Sequence, residues 1–334
     1  MLSKRDWEII SSFSTSFSIR EVARKTGLSK STVHRWAKKN EKNVRAVFNY
    51  TAIGLNYLLL LAEKSAEPEA LPEGVRSFRE TYGIGRQAYV IVAIVPVAIL
   101  DSWIETLEKA GVYIIDVIRA LELRKWNPLK SSIAWIGQEP VPLLPVLERI
   151  AMEENYPPKP VTVSRVPDAY DLALIHYYIV NPPWRPRGIH VDALKDGLKP
   201  IDQRRLSEHW RWHVLALWLY NTCYIPLDQF KVPIRLLVLS GSDVYGVSRA
   251  LSTIPFTLSA FIDKDRAALI TQIPCNLLGS IYKIFSEFDI SLEYDMIFAP
   301  SLVRWAPRLW RFVTKRGRRW EWCMPTGRIT VRRK

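Results

Sequence analysis

The chain has 334 residues, 48% hydrophobic and 24% charged, an ordinary globular balance with room for two or more domains. Its net charge of +14 is unevenly placed: residues 1–50 carry +7, residues 304–334 carry +10, and the body between them is slightly acidic at −3. Three widely spaced cysteines, Cys223, Cys275 and Cys323, exclude a disulfide framework or a CxxC knuckle and fit a reducing cytoplasm.

The first residues are charged and polar, so no signal peptide is expected. The apolar runs at 58–62 and 89–100 are too short to span a bilayer and read as buried strands, so no membrane partner is expected. A helix with Trp7, Ile10 and Phe13 on one face begins near Asp6. Ser18 and Glu21 have the spacing of a capping box, and Ile19, Val22 and Ala23 form the apolar face of the short helix behind it. Gly27 supplies a left-handed turn, and Ser29 caps a helix over 30–40. Val33, Trp36 and Ala37 face inward there. The outer face carries Ser31, Arg35 and Lys38, flanked by Lys30, Thr32, His34 and Lys39. Hydroxyls and Arg can read base edges in the major groove, and Lys neutralises phosphate.

The stretch SIREVARKTGLSKSTVHRWAKK, with its cap, its Ala in the second helix, its turn Gly and its Leu-Ser before the third helix, resembles the helix-turn-helix of the Lrp/AsnC regulators. The resemblance implies double-stranded DNA as partner and a ligand-sensing domain after the helices.

Residues 78–112 align without gaps to 256–290, with Phe78/Phe256, Pro96/Pro274, Leu100/Leu278 and Ser102/Ser280 identical and the apolar pattern shared. The segments 58–61 and 236–239 match at the same offset of 178, and residues 43–50 resemble 213–220. Each half reads as a strand (53–63; 232–240), a helix (68–82; 243–254), a two-strand stretch (84–96; 258–274), a helix (97–110; 275–288) and a last strand (112–124; 290–299). That order is βαββαβ, the ferredoxin-like arrangement, and the Lrp/AsnC resemblance implies the same. Open sheets of this kind need covering, so they are expected to pair within the chain or to form a homodimer.

Between the halves, 137–167 holds seven prolines and reads as a linker with a short helix near 143–154. A second, divergent winged helix is expected at 168–230, with helices over 168–179, 188–197 and 200–213. Gln203, Arg204 and Arg205 are its candidate DNA contacts, together with Arg185 and Arg187 in its Pro-rich loop. The expected organisation is α+β: helix-turn-helix 1–50, ferredoxin-like 51–136, linker 137–167, second winged helix 168–230, second ferredoxin-like 231–303 and basic tail 304–334. Two such helices about one DNA turn apart would read two unlike half-sites.

No GxGxxG, P-loop or HExxH occurs, and Gly83 and Gly85 read as a turn. His209 and His213 stand four apart on a helix, but spacing selects no third ligand among His176, His190 and Cys223, so no metal or other cofactor is expected. The loops that take amino acids in the resembled family lack a glycine cluster here, which leaves any effector unknown. The expectation is therefore a sequence-specific DNA-binding regulator that is not an enzyme. Two other classes stay open. One is a general nucleic-acid or chromatin binder using the Arg- and Trp-rich tail. The other is an enzyme like the sirohaem decarboxylases built on the same fold, which would not need a basic recognition face.

Overall fold

A computed structural model describes residues 3–41, 43–64, 68–136, 139–159, 163, 165–180, 188–225, 227–300 and 303–331. Three helices open the chain: α1 (Lys4–Phe13), α2 (Ile19–Thr26) and α3 (Lys30–Asn40). Ile9, Phe13, Val22, Ala23, Val33 and Ala37 meet in their own small core. Gly27 ends α2 at φ 68°, as its position requires. The capping box at Ser18 is only half formed: Ser18 Oγ accepts from the Glu21 amide, but the Glu21 carboxylate is taken by Ser16 Oγ at 2.7 Å and Lys25 at 2.9 Å.

The first half continues with β1 (Val44–Phe48), β2 (Leu55–Glu63), β3 (Ala70–Pro72), β4 (Val75–Gly83), β5 (Arg86–Pro96), α4 (Leu100–Lys109), β6 (Ile114–Ala120) and β7 (Glu122–Arg124). The connecting region holds β8 (Ile133–Ile136), β9 (Glu139–Pro142) and α5 (Leu144–Glu153). Then come α6 (Ala169–Val180), α7 (Val191–Lys195), α8 (Gln203–His209) and β10 (Trp218–Cys223). The second half runs β11 (Arg235–Ser240), α9 (Val244–Leu251), β12 (Thr257–Ile262), β13 (Arg266–Thr271), α10 (Cys275–Glu287) and β14 (Ser291–Phe298). The chain closes with β15 (Val303–Arg304), β16 (Val313–Arg316), β17 (Arg319–Trp322) and β18 (Arg328–Thr330).

The second half thus has the expected βαββαβ order. The first does not: the helix expected over 68–82 is the strand pair β3 and β4. The turn at Gly85, φ 68°, folds β4 back onto β5 along its whole length, and the Phe78 thereby buried outweighs the helix propensity of its Glu- and Arg-rich sequence. Both halves nevertheless share one strand order, β6-β2-β5-β4 and β14-β11-β13-β12, and join into one ten-stranded sheet through β4–β14 and β12–β7. Only Leu121 separates β6 from β7, and its amide donates to Ile262 O at 2.9 Å, so the sheet nearly closes on itself. The sheets therefore cover each other within one chain, the first of the two alternatives expected.

Strand alternation sorts the side chains into three layers. Leu59, Leu61, Val92 and Ile94 meet Leu236, Val238, Phe261 and Phe298 between the sheets. Leu58, Leu60, Ile91 and Val95 pack outward on Leu100, Trp103 and Leu107 of α4. Leu237, Leu239, Ala267 and Leu269 pack outward on α9, α10 and α5. Ion pairs tie the second seam: Arg249 to Glu122 at 2.6 Å, Arg124 to Glu154 at 2.7 Å and Arg266 to Asp116 at 2.9 Å.

The short helix expected near 143–154 is present as α5, docked so closely on α9 that a Cβ on Gly246 would lie 1.8 Å from Ala151 O. Within the expected tail, 304–334, the described residues to 331 pack on the rest of the chain: Leu309, Trp310 and Phe312 are buried, Arg311 pairs with Glu73 and Asp196, and β18 pairs with β3. Arg185 and Arg187 lie outside the described residues. No helix among the described residues is long and apolar enough to cross a membrane.

Gly246→Ala should destabilise the protein by about 2 kcal/mol through overpacking, measured by urea unfolding. A second prediction concerns pH. His176 is 1% exposed on α6, its Nδ1 lies 3.1 Å from Pro307 O, and burial holds its pKa down to about 4. The unfolded chain, with an ordinary imidazole near 6.5, takes up the proton first. Stability should therefore fall by up to about 3 kcal/mol as pH drops from about 6.5 to about 4. Unfolding free energies of His176→Asn across that window should show a shallower loss than those of the parent chain.

Candidate functional site

A cavity of about 330 Å³ opens where the inter-sheet core meets α6 and β10. Its wall includes four cationic side chains, Arg45 from β1, Arg76 and Arg79 from β4, and Lys125 just after β7, and no Asp or Glu among the described lining residues. Arg45 and the β4 arginines are placed by their strands, and Lys125 by the loop that follows β7. Residues 75–77 of β4 shift register against β5, which brings Arg76 onto the same wall as Arg79. Arg79 is 5% exposed, donates from Nη2 to Ala299 O at 3.1 Å, and lies 4.7 Å from the Phe298 ring centroid. Arg76 Nη1 is 3.5 Å from Tyr57 Oη. The lining is otherwise apolar or aromatic, with Tyr57, Val90, Trp126, Phe261, Phe298 and Trp305.

The Cys223 thiol of the same wall stays neutral. Burial pushes the Cys223 thiol up to about 12. Tyr224 donates from its hydroxyl to Gln272 Oε1 at 2.8 Å. Clustered cations in a partly enclosed, low-dielectric wall favour an anion, above all one with several carboxylates, because each arginine can take one through paired N–H donors.

The residues expected to contact DNA fall on two separate helices. On α3, Lys30, Ser31, His34, Arg35, Lys38 and Lys39 are exposed and Thr32 half-exposed, while Val33 and Ala37 are buried. Trp36 is fixed from below by its indole N–H to Asp6 Oδ1 at 2.8 Å. Gln203, Arg204 and Arg205 are exposed on α8, but their charge is partly offset: Arg204 pairs with Glu208 at 3.1 Å and Arg205 lies 3.8 Å from Asp202. The hairpin β16–β17 exposes Lys315, Arg316, Arg318 and Arg319.

Sequence reasoning did not single out the cavity cations. They come from strands 80 residues apart in sequence, from Arg45 to Lys125, and no local spacing joins them. The sequence signal that does exist is weak: Arg76 and Arg79 interrupt a strand that is otherwise half buried.

No family model and no curated protein matches the chain. Two solved structures are similar in fold. One is the siroheme decarboxylase NirDL in co-complex with an iron-uroporphyrin III analogue, at 10% identity over 91% of this chain and 95% of that one, with a TM-score of 0.45. The other is the siroheme decarboxylase NirDL, at 10% identity over 88% of this chain and 90% of that one, with a TM-score of 0.43. Both are enzymes, and on this finding the expectation that the chain is not an enzyme is corrected.

Reversing one wall charge tests the cavity's electrostatics directly. Arg76→Glu should weaken binding of a small polycarboxylate by about tenfold or more, the loss of one charge-assisted pair, in a titration that follows quenching of Trp126 and Trp305 fluorescence.

Proposed function

We propose that this chain is an enzyme that holds a carboxylate-rich, flat, apolar-bodied ligand in the cationic cavity and removes a carboxylate from it. The carrying observation is the wall itself, four cations gathered among aromatic and aliphatic side chains. Tetrapyrroles with several acidic arms have this chemistry, and the reading keeps the reaction class named for the two similar solved structures. Arg45, Arg76, Arg79 and Lys125 would hold the carboxylates that stay. The one that reacts would face the apolar wall, where desolvation weakens its hold on charge. In the step, the bond from the side-chain carbon to the carboxylate carbon breaks and CO2 leaves. The electron pair passes into the conjugated body of the ligand, and a proton from Tyr57, Tyr224 or solvent ends on that carbon.

The architecture belongs to the same proposal. The chain would be two copies of one unit, three helices and a strand followed by a 4-1-3-2 sheet, with one ligand cavity between unlike halves. The test is incubation of purified chain with uroporphyrin-type and siroheme-type tetrapyrroles, followed by mass spectrometry. Loss of one or more CO2 from the ligand, abolished in Arg79→Met, supports the reading. Tight binding with no change in mass would remove the enzymatic part of it, and no binding at all would sink it.

A second reading rests on a different observation, the seven polar and basic residues displayed by α3 over a buried Val33 and Ala37. There α3 would lie in a DNA major groove, and the chain would be a regulator responding to the cavity ligand. Arg35→Ala with Lys38→Ala leaves the buried face intact and should weaken binding to duplex DNA and flatten its salt dependence by about one unit of slope per lost phosphate contact. Unaltered affinity and slope in that variant would exclude α3 as the contact.

A further inference from the structure

Outside the cavity, α6 and α8 bring four metal-ligating side chains to one point. Asp168 just precedes α6 and Asp171 lies in its first turn, three residues on; His209 ends α8 and His213 lies four residues on. Residues Trp210–Val214 are not α-helical but form a π turn, a local feature that often accompanies functional sites. One ligand atom of each of the four residues lies within 4.8 Å of the other three. His209 Nδ1 and His213 Nδ1 are each 2.9 Å from Asp171 Oδ1, and His209 Nδ1 is 3.5 Å from Asp168 Oδ2. A tetrahedral zinc ion, with bonds of about 2.0–2.1 Å, would space its ligands by about 3.3 Å. These separations bracket that value.

The donor set is also oriented. Asp168 Oδ1 is already occupied by the Asp171 amide at 2.8 Å, which leaves Oδ2 directed at His209. The other oxygen of Asp171 is held by Arg165 at 2.7 Å, so Oδ1 alone is presented to the histidines. Asp171 is 0% exposed, yet a surface hollow of about 430 Å³ bounded by Arg205, Glu208, His209, Trp212 and His213 leads to the cluster from solvent. A buried carboxylate with a second one beside it, two converging imidazoles and an entry path are the parts of a transition-metal site.

We propose that Asp168, Asp171, His209 and His213 bind one divalent transition-metal ion, zinc by the nitrogen and oxygen donors and tetrahedral spacing, which braces α6 against α8. Two imidazole nitrogens favour such an ion over calcium or magnesium. The site is independent of the cationic cavity and of the reading placed on it.

The test uses the full chain stripped of metal with EDTA and titrated with Co2+, whose tetrahedral complexes show strong visible d–d bands. One ion per chain should bind and produce those bands, Zn2+ should displace it, and metal should raise the melting temperature. His213→Ala should lower affinity by about 100-fold or more, since even outer partners of metal ligands contribute up to that factor. Asp168→Asn, nearly identical in shape, should fold by circular dichroism and still lose most of the affinity. It decides the matter if the histidine variant does not fold. Absence of Co2+ and Zn2+ uptake by the parent chain, or equal uptake by the parent and Asp168→Asn, would overturn the proposal.

Discussion

The closure of one sheet on another is the constraint from which the rest of this structure follows. Each four-stranded unit has apolar residues on both faces, and one face is covered by its own helices. The other faces meet only because β4 pairs with β14 and β7 with β12, edge to edge, at opposite ends of the sheet. Those pairings remove exposed edges and bury the inner face without a second chain. They are short, three residue pairs at β7–β12 and two at β4–β14, so the ion pairs of Arg249, Arg124 and Arg266 and the contacts of α5 carry a real share of the seam.

The same closure makes the cavity. Two unlike units do not pack their ends equally, and the gap beside α6 is walled on one side by β4 and on the other by β12 and β13. The described lining of that gap gathers Arg45, Arg76, Arg79 and Lys125 among aromatic and aliphatic side chains. The C-terminal segment follows a contrasting rule. Arg308 and Arg311, read from sequence as free cations for a polyanion, are spent on Asp196 and Glu73, and the segment they belong to folds across the first unit.

Local signals were legible because local forces set them. The turn at Gly27, the cap at Ser29, the two faces of α3, the helix within the proline-rich connection and the strands around residues 58–61 and 236–239 each depend on backbone conformation or side-chain periodicity, and both are written in consecutive residues. The matched apolar patterns at offset 178 were legible for the same reason, since they need no knowledge of what they pack against.

What sequence alone left undetermined was whatever depended on partners distant in the chain. Residues 68–82 carry Glu and Arg that suit a helix, but Pro72 and Gly74, at φ 97°, interrupt it, and pairing with β5 makes the stretch from Val75 onward a strand. His209 and His213 were visible as a spaced pair, but the carboxylates that complete their cluster lie 38 residues and more away, and the fold of α6 onto α8 selected them. Outside residues 68–82, the sequence determined most stretches of helix, turn and buried strand, and it determined where basic residues cluster along the chain. Only the tertiary structure decided which cations are neutralised, which converge on a cavity and which histidines gain carboxylate neighbours, because electrostatic meaning depends on separation in space and on solvent, and neither is fixed by order along the chain.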